Sequence, residues 1–131
     1  MKTKTIKHKF TINAPAEKIY DALLDSDIHS EITGGEAKVS NVEGDEFTTF
    51  DGYAQGKNLK LNRPNLIVQN WRADEDGWPE EHFSKITFEI DETDGISTIK
   101  FTQEELPEDA ADDIEQGWND YYWGPMEEYF N

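Results

Sequence analysis

The pattern of apolar and polar positions divides the chain into a sheet-forming body and a helical end. From Pro107 to Asn131, the residues Ile114, Trp118, Tyr121, Tyr122, Pro125, Met126 and Tyr129 recur at spacings of three and four, the period of a helix. Glu108, Asp109, Asp112 and Asp113 fill its opening turns, where negative charge suits the positive end of the helix dipole. Pro107 stands just before them, where a missing N–H costs nothing. About 20 residues at ~1.5 Å each make a rod ~30 Å long, enough to cross a small domain. Each buried aromatic ring removes roughly 150–250 Å² from water, so this helix can anchor a core. Gly117 lowers helix propensity and is expected to admit the close approach of a strand or loop. Pro125 is expected to kink the helix, because its ring clashes with the carbonyl four residues back. The aromatic stripe reads either as core alone or as core that partly lines a cavity under a sheet.

The body alternates with a period of two. Thr5 to Asn13 places Ile6, His8, Phe10 and Ile12 on one face and Lys7, Lys9 and Thr11 on the other, a half-buried strand. Asn13 to Glu17 starts a helix, with Asn13 a cap candidate and Pro15 near the first helical position. Ile19, Tyr20, Leu23 and Leu24 form its buried stripe. Ser26-Asp27 can cap a second short helix, about Asp27 to Ile32, ended by Gly34-Gly35. Six strand-like segments follow: a weak one at Ala37–Val42, then Phe47–Phe50, Tyr53–Leu61, Leu66–Arg72, Phe83–Ile90 and Ile96–Thr102. Asp51-Gly52, Asn62 to Asn65 and Thr93 to Gly95 punctuate them as turns. Gly56 marks a bulge or a close contact. Consecutive strands with the helices set apart indicate an α+β fold with an antiparallel sheet, in one domain spanning residues 1–131.

Charge narrows the partners. The formal net charge is −17, and no Lys or Arg follows Lys100, against ten acidic residues from Glu104 to Glu128. Such a surface repels phosphate, which argues against nucleic acid and anionic membrane, and favours a basic protein surface or a cationic ligand. The basic start, Lys2 to Lys9, lacks a following apolar run and so does not read as a signal peptide. No segment approaches the ~20 apolar residues of a membrane span, and the default location is cytoplasmic. Absence of cysteine excludes disulfides, thiolate metal sites and a Cys nucleophile.

Catalytic signatures do not emerge. His8, His29 and His82 are scattered, with no metal-ligand spacing among them. His8 reads as a hydrogen-bonded core residue, and His82 as ordering the Trp78-Pro79 loop or facing water. No nucleophile elbow or phosphate loop is present. No cofactor, metal or catalytic residue is expected, and a single chain is expected to act as a monomer.

Three segments carry a family resemblance: Asn13-Ala14-Pro15-Ala16-Glu17-Lys18-Ile19-Tyr20; Trp71-Arg72 to Trp78-Pro79-Glu80-Glu81-His82-Phe83; and Gly117-Trp118 followed by Tyr121-Tyr122-Trp123. With the element order, and with Gly52 and Gly56 before the Pro64 turn, they resemble the activator of heat-shock protein 90 ATPase family, C-terminal-domain type. That family lies within the START-like or Bet v 1-like (SRPBCC) helix-grip group. The resemblance implies a curved antiparallel sheet of about six to seven strands wrapped around a long C-terminal helix, with two short helices after the first strand. It also implies a cavity between sheet and helix, where Phe50, Trp71 and Phe88 would meet Trp118, Tyr122 and Met126; these six are the candidate ligand-binding residues. Eukaryotic co-chaperones of the family carry a further N-terminal domain that makes the main stimulatory contact, and 131 residues are expected to leave no room for it.

Three functions compete. The first is a non-enzymatic interaction module of the chaperone-activator type, with an Hsp90-type partner and a place in the stress response. The second is binding or carrying a small apolar or aromatic ligand in the cavity. The third is a cyclase- or hydrolase-like enzyme, for which His8 and Tyr53 are the only candidates.

Overall fold

In the computed structural model, which describes residues 1–131, the alternating segments form six antiparallel strands. They are β1 (Thr3–Ile12), β2 (Glu46–Thr49), β3 (Ala54–Asn62), β4 (Leu66–Ala73), β5 (Ser84–Thr93) and β6 (Ile96–Pro107). The sheet order β1-β6-β5-β4-β3-β2 makes every pair from β2 to β6 a hairpin and leaves β1 to pair with β6. The β5–β6 turn is Asp94-Gly95, with φ of 53° and 81°, the left-handed pair that a two-residue hairpin loop requires. Two helices, α1 (Ala16–Leu23) and α2 (Ser26–Thr33), connect β1 to β2. The inward positions of the central strands form one apolar face. Ile67 and Trp71 on β4, Ile86, Phe88 and Ile90 on β5, and Ile99 and Phe101 on β6 are all buried. This is an α+β helix-grip architecture, a curved sheet holding a C-terminal helix.

Ala37–Val42 is not a strand; a single bridge, Lys38 to Thr48, is its only ladder contact. Side chains occupy the backbone groups that a ladder would use. The Ser26 hydroxyl accepts from Val39 N and donates to Val39 O. The buried Asn58 amide donates to the carbonyls of Ser40 and Val42, each at 3.0 Å. Gly56 is a close contact rather than a bulge: a Cβ there would lie 1.9 Å from the Asn70 carbonyl oxygen. The irregularity of β3 falls between Asn58 and Lys60 instead.

Helix ends are satisfied partly from a distance. Asp25, not Ser26, caps α2, accepting from Ile28 N at 2.9 Å, and Gly34 ends that helix at φ 81°. Pro15 occupies the cap position of α1 and offers no side-chain acceptor. The Glu92 carboxylate, from the β5–β6 hairpin, accepts from Ala16 N at 2.8 Å in its place.

The C-terminal helix opens with a 3₁₀ turn, Glu108–Ala110, and continues as α3 (Ala111–Trp118). It then widens into a π turn at Asn119–Trp123 and closes as α4 (Gly124–Tyr129). Pro125 acts through this π turn rather than as a simple kink. Gly124 N bonds Asn119 O, five residues back, and the proline follows in the first turn of α4, where an absent N–H is tolerated. The extra residue also changes the phase of the stripe. Ile114, Trp118, Tyr122, Trp123 and Met126 all become buried, including two adjacent rings, while Tyr121 turns outward, 52% exposed.

Candidate functional site

Rings from the C-terminal helix fill the space under the sheet. Trp118 stacks on Trp123 with centroids 5.5 Å apart and planes at 14°, and lies 4.5 Å from Phe101 and 5.6 Å from Trp71. Between these rings and the sheet only about 10 Å³ remains, the lower limit of what one water molecule needs. Phe88 and Thr49 border that remnant, and the buried Thr49 hydroxyl has no protein partner.

An aromatic-lined concavity lies at the mouth of the grip. A cleft of about 470 Å³ opens between the end of α2, the β2–β3 turn, the end of β4 and the outer side of the C-terminal helix. That volume falls in the range of small-molecule sites. Trp71, Trp118 and Tyr122 form its floor, and Phe50, Tyr53 and Tyr121 its apolar rim. Asp51, Glu75 and Asp113 also line it, and no Lys, Arg or His does.

A buried polar chain holds the floor in place. Trp118 Nε1 donates to Gln103 Oε1 at 2.9 Å, Gln103 Nε2 to Ser84 Oγ at 3.0 Å, and Ser84 Oγ to the Trp71 carbonyl at 2.7 Å. Both tryptophans of the floor are thereby linked through neighbouring strands. Because each member is satisfied, the chain fixes one rotamer arrangement instead of leaving costly unpaired groups.

Tyr122 is fixed from the other side by His29. The Leu23 carbonyl, 2.9 Å from His29 Nδ1, can only accept, so Nδ1 carries the proton. Nε2 then accepts from the Tyr122 hydroxyl at 2.7 Å. Burial lowers the His29 pKa and raises that of Tyr122, and both groups stay neutral, as this pairing requires. At the rim the Tyr53 hydroxyl donates to the Glu75 carboxylate. Burial first, and Glu75 second, raise the Tyr53 pKa well above the ordinary phenol value. Tyr53 and Tyr122 are thus held protonated, and the free imidazole nitrogen of His29 is occupied.

The other histidines have structural partners. His8 accepts from Trp123 Nε1 at 2.7 Å and donates Nε2–H to Glu115 at 2.8 Å, tying β1 to α3 and the π turn. His82 donates to the Glu105 carbonyl, while its own carbonyl accepts from Trp78 Nε1, which orders the Trp78-Pro79 loop.

A family model described as activator of Hsp90 ATPase homolog 1-like protein matches residues 13–131. The chain belongs to this family. An activator of 90 kDa heat shock protein ATPase homolog from Dictyostelium discoideum is 29% identical over 88% of the chain. The human activator homolog 1 is 26% identical over 96% of it. An uncharacterized protein of Schizosaccharomyces pombe is 28% identical over 98%. The chain spans only about a third of these relatives, 30%, 36% and 38% of their respective lengths. Among solved structures, an Hsp90 activator from Plasmodium falciparum superposes with a TM-score of 0.83, covering 90% of this chain and 89% of that one at 20% identity. The Aha1 dimer from Colwellia psychrerythraea gives 0.78 over 94% and 93%, also at 20% identity. Likeness at these identities establishes the fold. The Colwellia protein is described as a dimer, whereas a monomer is the expectation from the sequence of this chain.

For this Hsp90-activator-like chain, four of the six candidate ligand-binding residues, Phe50, Trp71, Trp118 and Tyr122, come together on the cleft. Phe88 lies behind Trp118, centroids 6.3 Å apart, and Met126 is fully buried; neither lines the cleft. Glu75, Asp113 and Tyr121 line the cleft and His29 holds its floor, and none of the four was among the candidate ligand-binding residues. His29 had a signal, since it shares the buried face of α2 with Ile32 and Thr33 at helical spacing. Gly117 faces the cleft, and a Cβ there would meet only the Tyr121 ring, at 4.0 Å. It admits no strand or loop, contrary to expectation; its missing side chain enlarges the cleft.

No helix is long and apolar enough to cross a membrane.

Proposed function

We propose that this domain is a non-enzymatic interaction module for an Hsp90-type chaperone. The observation that carries the reading is the family match over residues 13–131, which takes in strands β2 to β6 and the entire C-terminal helix. Surface charge supports it. Glu108, Asp109, Asp112 and Asp113 stand exposed along the first turns of the C-terminal helix and would meet a basic partner by electrostatic complementarity. Titration of the labelled domain with the chaperone, followed by NMR, tests this. Shifts concentrated on those turns and weakened by salt are expected. No shift at concentrations near millimolar would remove the proposal.

The open cleft favours a second reading, binding of a small ligand. With the interior filled by rings, the ligand would sit at the mouth of the grip and not beneath the sheet. Cleft-specific shifts on adding a small molecule, without any chaperone, would support it.

A further inference from the structure

The cleft joins aromatic faces and carboxylates without a single basic residue. We infer that it binds an organic cation, an alkylammonium group seated against the Trp71, Trp118 and Tyr121 rings and facing Glu75 and Asp113. This rests on the small-ligand reading above and names its chemical class.

Ring geometry suits such a guest. Trp118 lies 5.6 Å from Trp71 and 4.6 Å from Tyr122, and Phe50 stands 5.5 Å from Tyr121 at the rim. The walls are therefore continuous, and a cation within ~6 Å of a ring centroid is drawn to its negative face. Carboxylates add to the same field. Asp51, Glu75 and Asp113 come from three different parts of the chain, so the charge surrounds the guest rather than running along one helix.

Nothing in the protein neutralises this field from within. None of the twelve Lys and Arg side chains lines the cleft, and five of them are engaged elsewhere: Lys4 near Asp112, Lys38 near Glu36, Arg63 on Asp21, Lys85 near Glu104, and Arg72 over the Phe83 ring. The net charge of −17 raises the concentration of cations around the molecule as a whole. An anion would be repelled, and a neutral apolar ligand would desolvate the carboxylates without compensation. A hard metal ion needs six or more oxygen ligands in one shell, and rings cannot supply them. An organic cation satisfies both the apolar faces and the charge.

Two probes of one shape decide the matter: choline and its uncharged isostere 3,3-dimethyl-1-butanol, each titrated into the labelled protein by NMR. Choline is expected to shift the Trp71 and Trp118 indole signals and the Gly34, Gly35 and Gly117 amides, with an affinity roughly tenfold above the isostere. Combining Glu75→Gln with Asp113→Asn should reduce choline affinity several-fold and leave the isostere unchanged. Gly117→Leu adds bulk where there is open cleft, and should abolish both. Equal affinity for the two probes would overturn the cation inference and leave the small-ligand reading standing. Absence of any shift, with the protein folded and ligand far above millimolar, would overturn both. Shifts that persist unaltered in Gly117→Leu would put binding elsewhere and overturn the inference as well.

Discussion

The Tyr122 hydroxyl donates to His29 Nε2 at 2.7 Å, joining the π turn of the C-terminal helix to the buried face of α2. A contact across 93 positions of sequence thus locks the helix that carries the cleft floor to the helix pair that borders it. Tyr122→Phe removes the donor and leaves a buried imidazole nitrogen without a partner. It should lower stability by about 1–3 kcal/mol, read from denaturant midpoints at constant slope.

The same pair sets a pH dependence. His29 has a pKa lowered by burial, from an ordinary 6.5, so the unfolded chain takes up a proton that the native state refuses. Its stabilisation is complete above pH 6.5 and is lost as pH falls from there through the depressed native value. His29→Gln should therefore be less stable than the parent at neutral pH, and the gap should narrow in acid. Parallel unfolding curves for both proteins between neutral and mildly acidic pH measure it; a gap independent of pH would contradict it.

Glu92 acts on a helix it does not belong to. Its carboxylate supplies the cap that Pro15 cannot, accepting from Ala16 N at 2.8 Å. Glu92→Ala should cost about 0.5–2 kcal/mol, the usual effect of losing a helix cap. Glu92→Gln keeps an acceptor but loses the charge at the positive helix end, and should fall between the two. Amide exchange in the first turn of α1 should rise in step.

Two glycines should respond in opposite senses. Gly56→Ala forces a Cβ to within 1.9 Å of the Asn70 carbonyl oxygen and should cost about 3 kcal/mol or more. Gly117→Ala meets only the Tyr121 ring, at 4.0 Å, inside a helix, and should raise stability by about 1 kcal/mol. Thermal unfolding of the two variants beside the parent separates these effects.

Periodicity made most of the elements readable. Clean alternation at Ile86, Phe88 and Ile90, and at Ile99 and Phe101, survives as the inward face of β5 and β6, because one residue of slip would expose every one of those side chains. Thr93 to Gly95 was visible as a turn for a local steric reason, the positive φ that Asp94 and Gly95 adopt. Ala37–Val42 misled because its composition suits a strand, while its backbone groups are claimed by Ser26 and Asn58 from elsewhere in the chain.

The cleft was only partly legible. Trp71, Trp118 and Tyr122 are large rings, and size alone draws them to the centre of the fold. Whether a given ring meets a neighbour or open space depends on how helix and sheet lie against each other, and no local pattern encodes that. Phe88 and Met126 show this, being packed behind the rings that face the cleft.

By itself the sequence determined every strand but the false one at Ala37–Val42, the aromatic helix and the acidic charge, since each follows from residues close together in the chain. Tertiary structure alone decided that the interior would be filled, that a cleft would open at its mouth, and that Asp51, Glu75 and Asp113 would surround it. The physical reason is distance along the chain. Local sterics and periodicity act over a few residues, whereas the cleft is made where segments dozens of residues apart are brought together by burial of the rings beneath it.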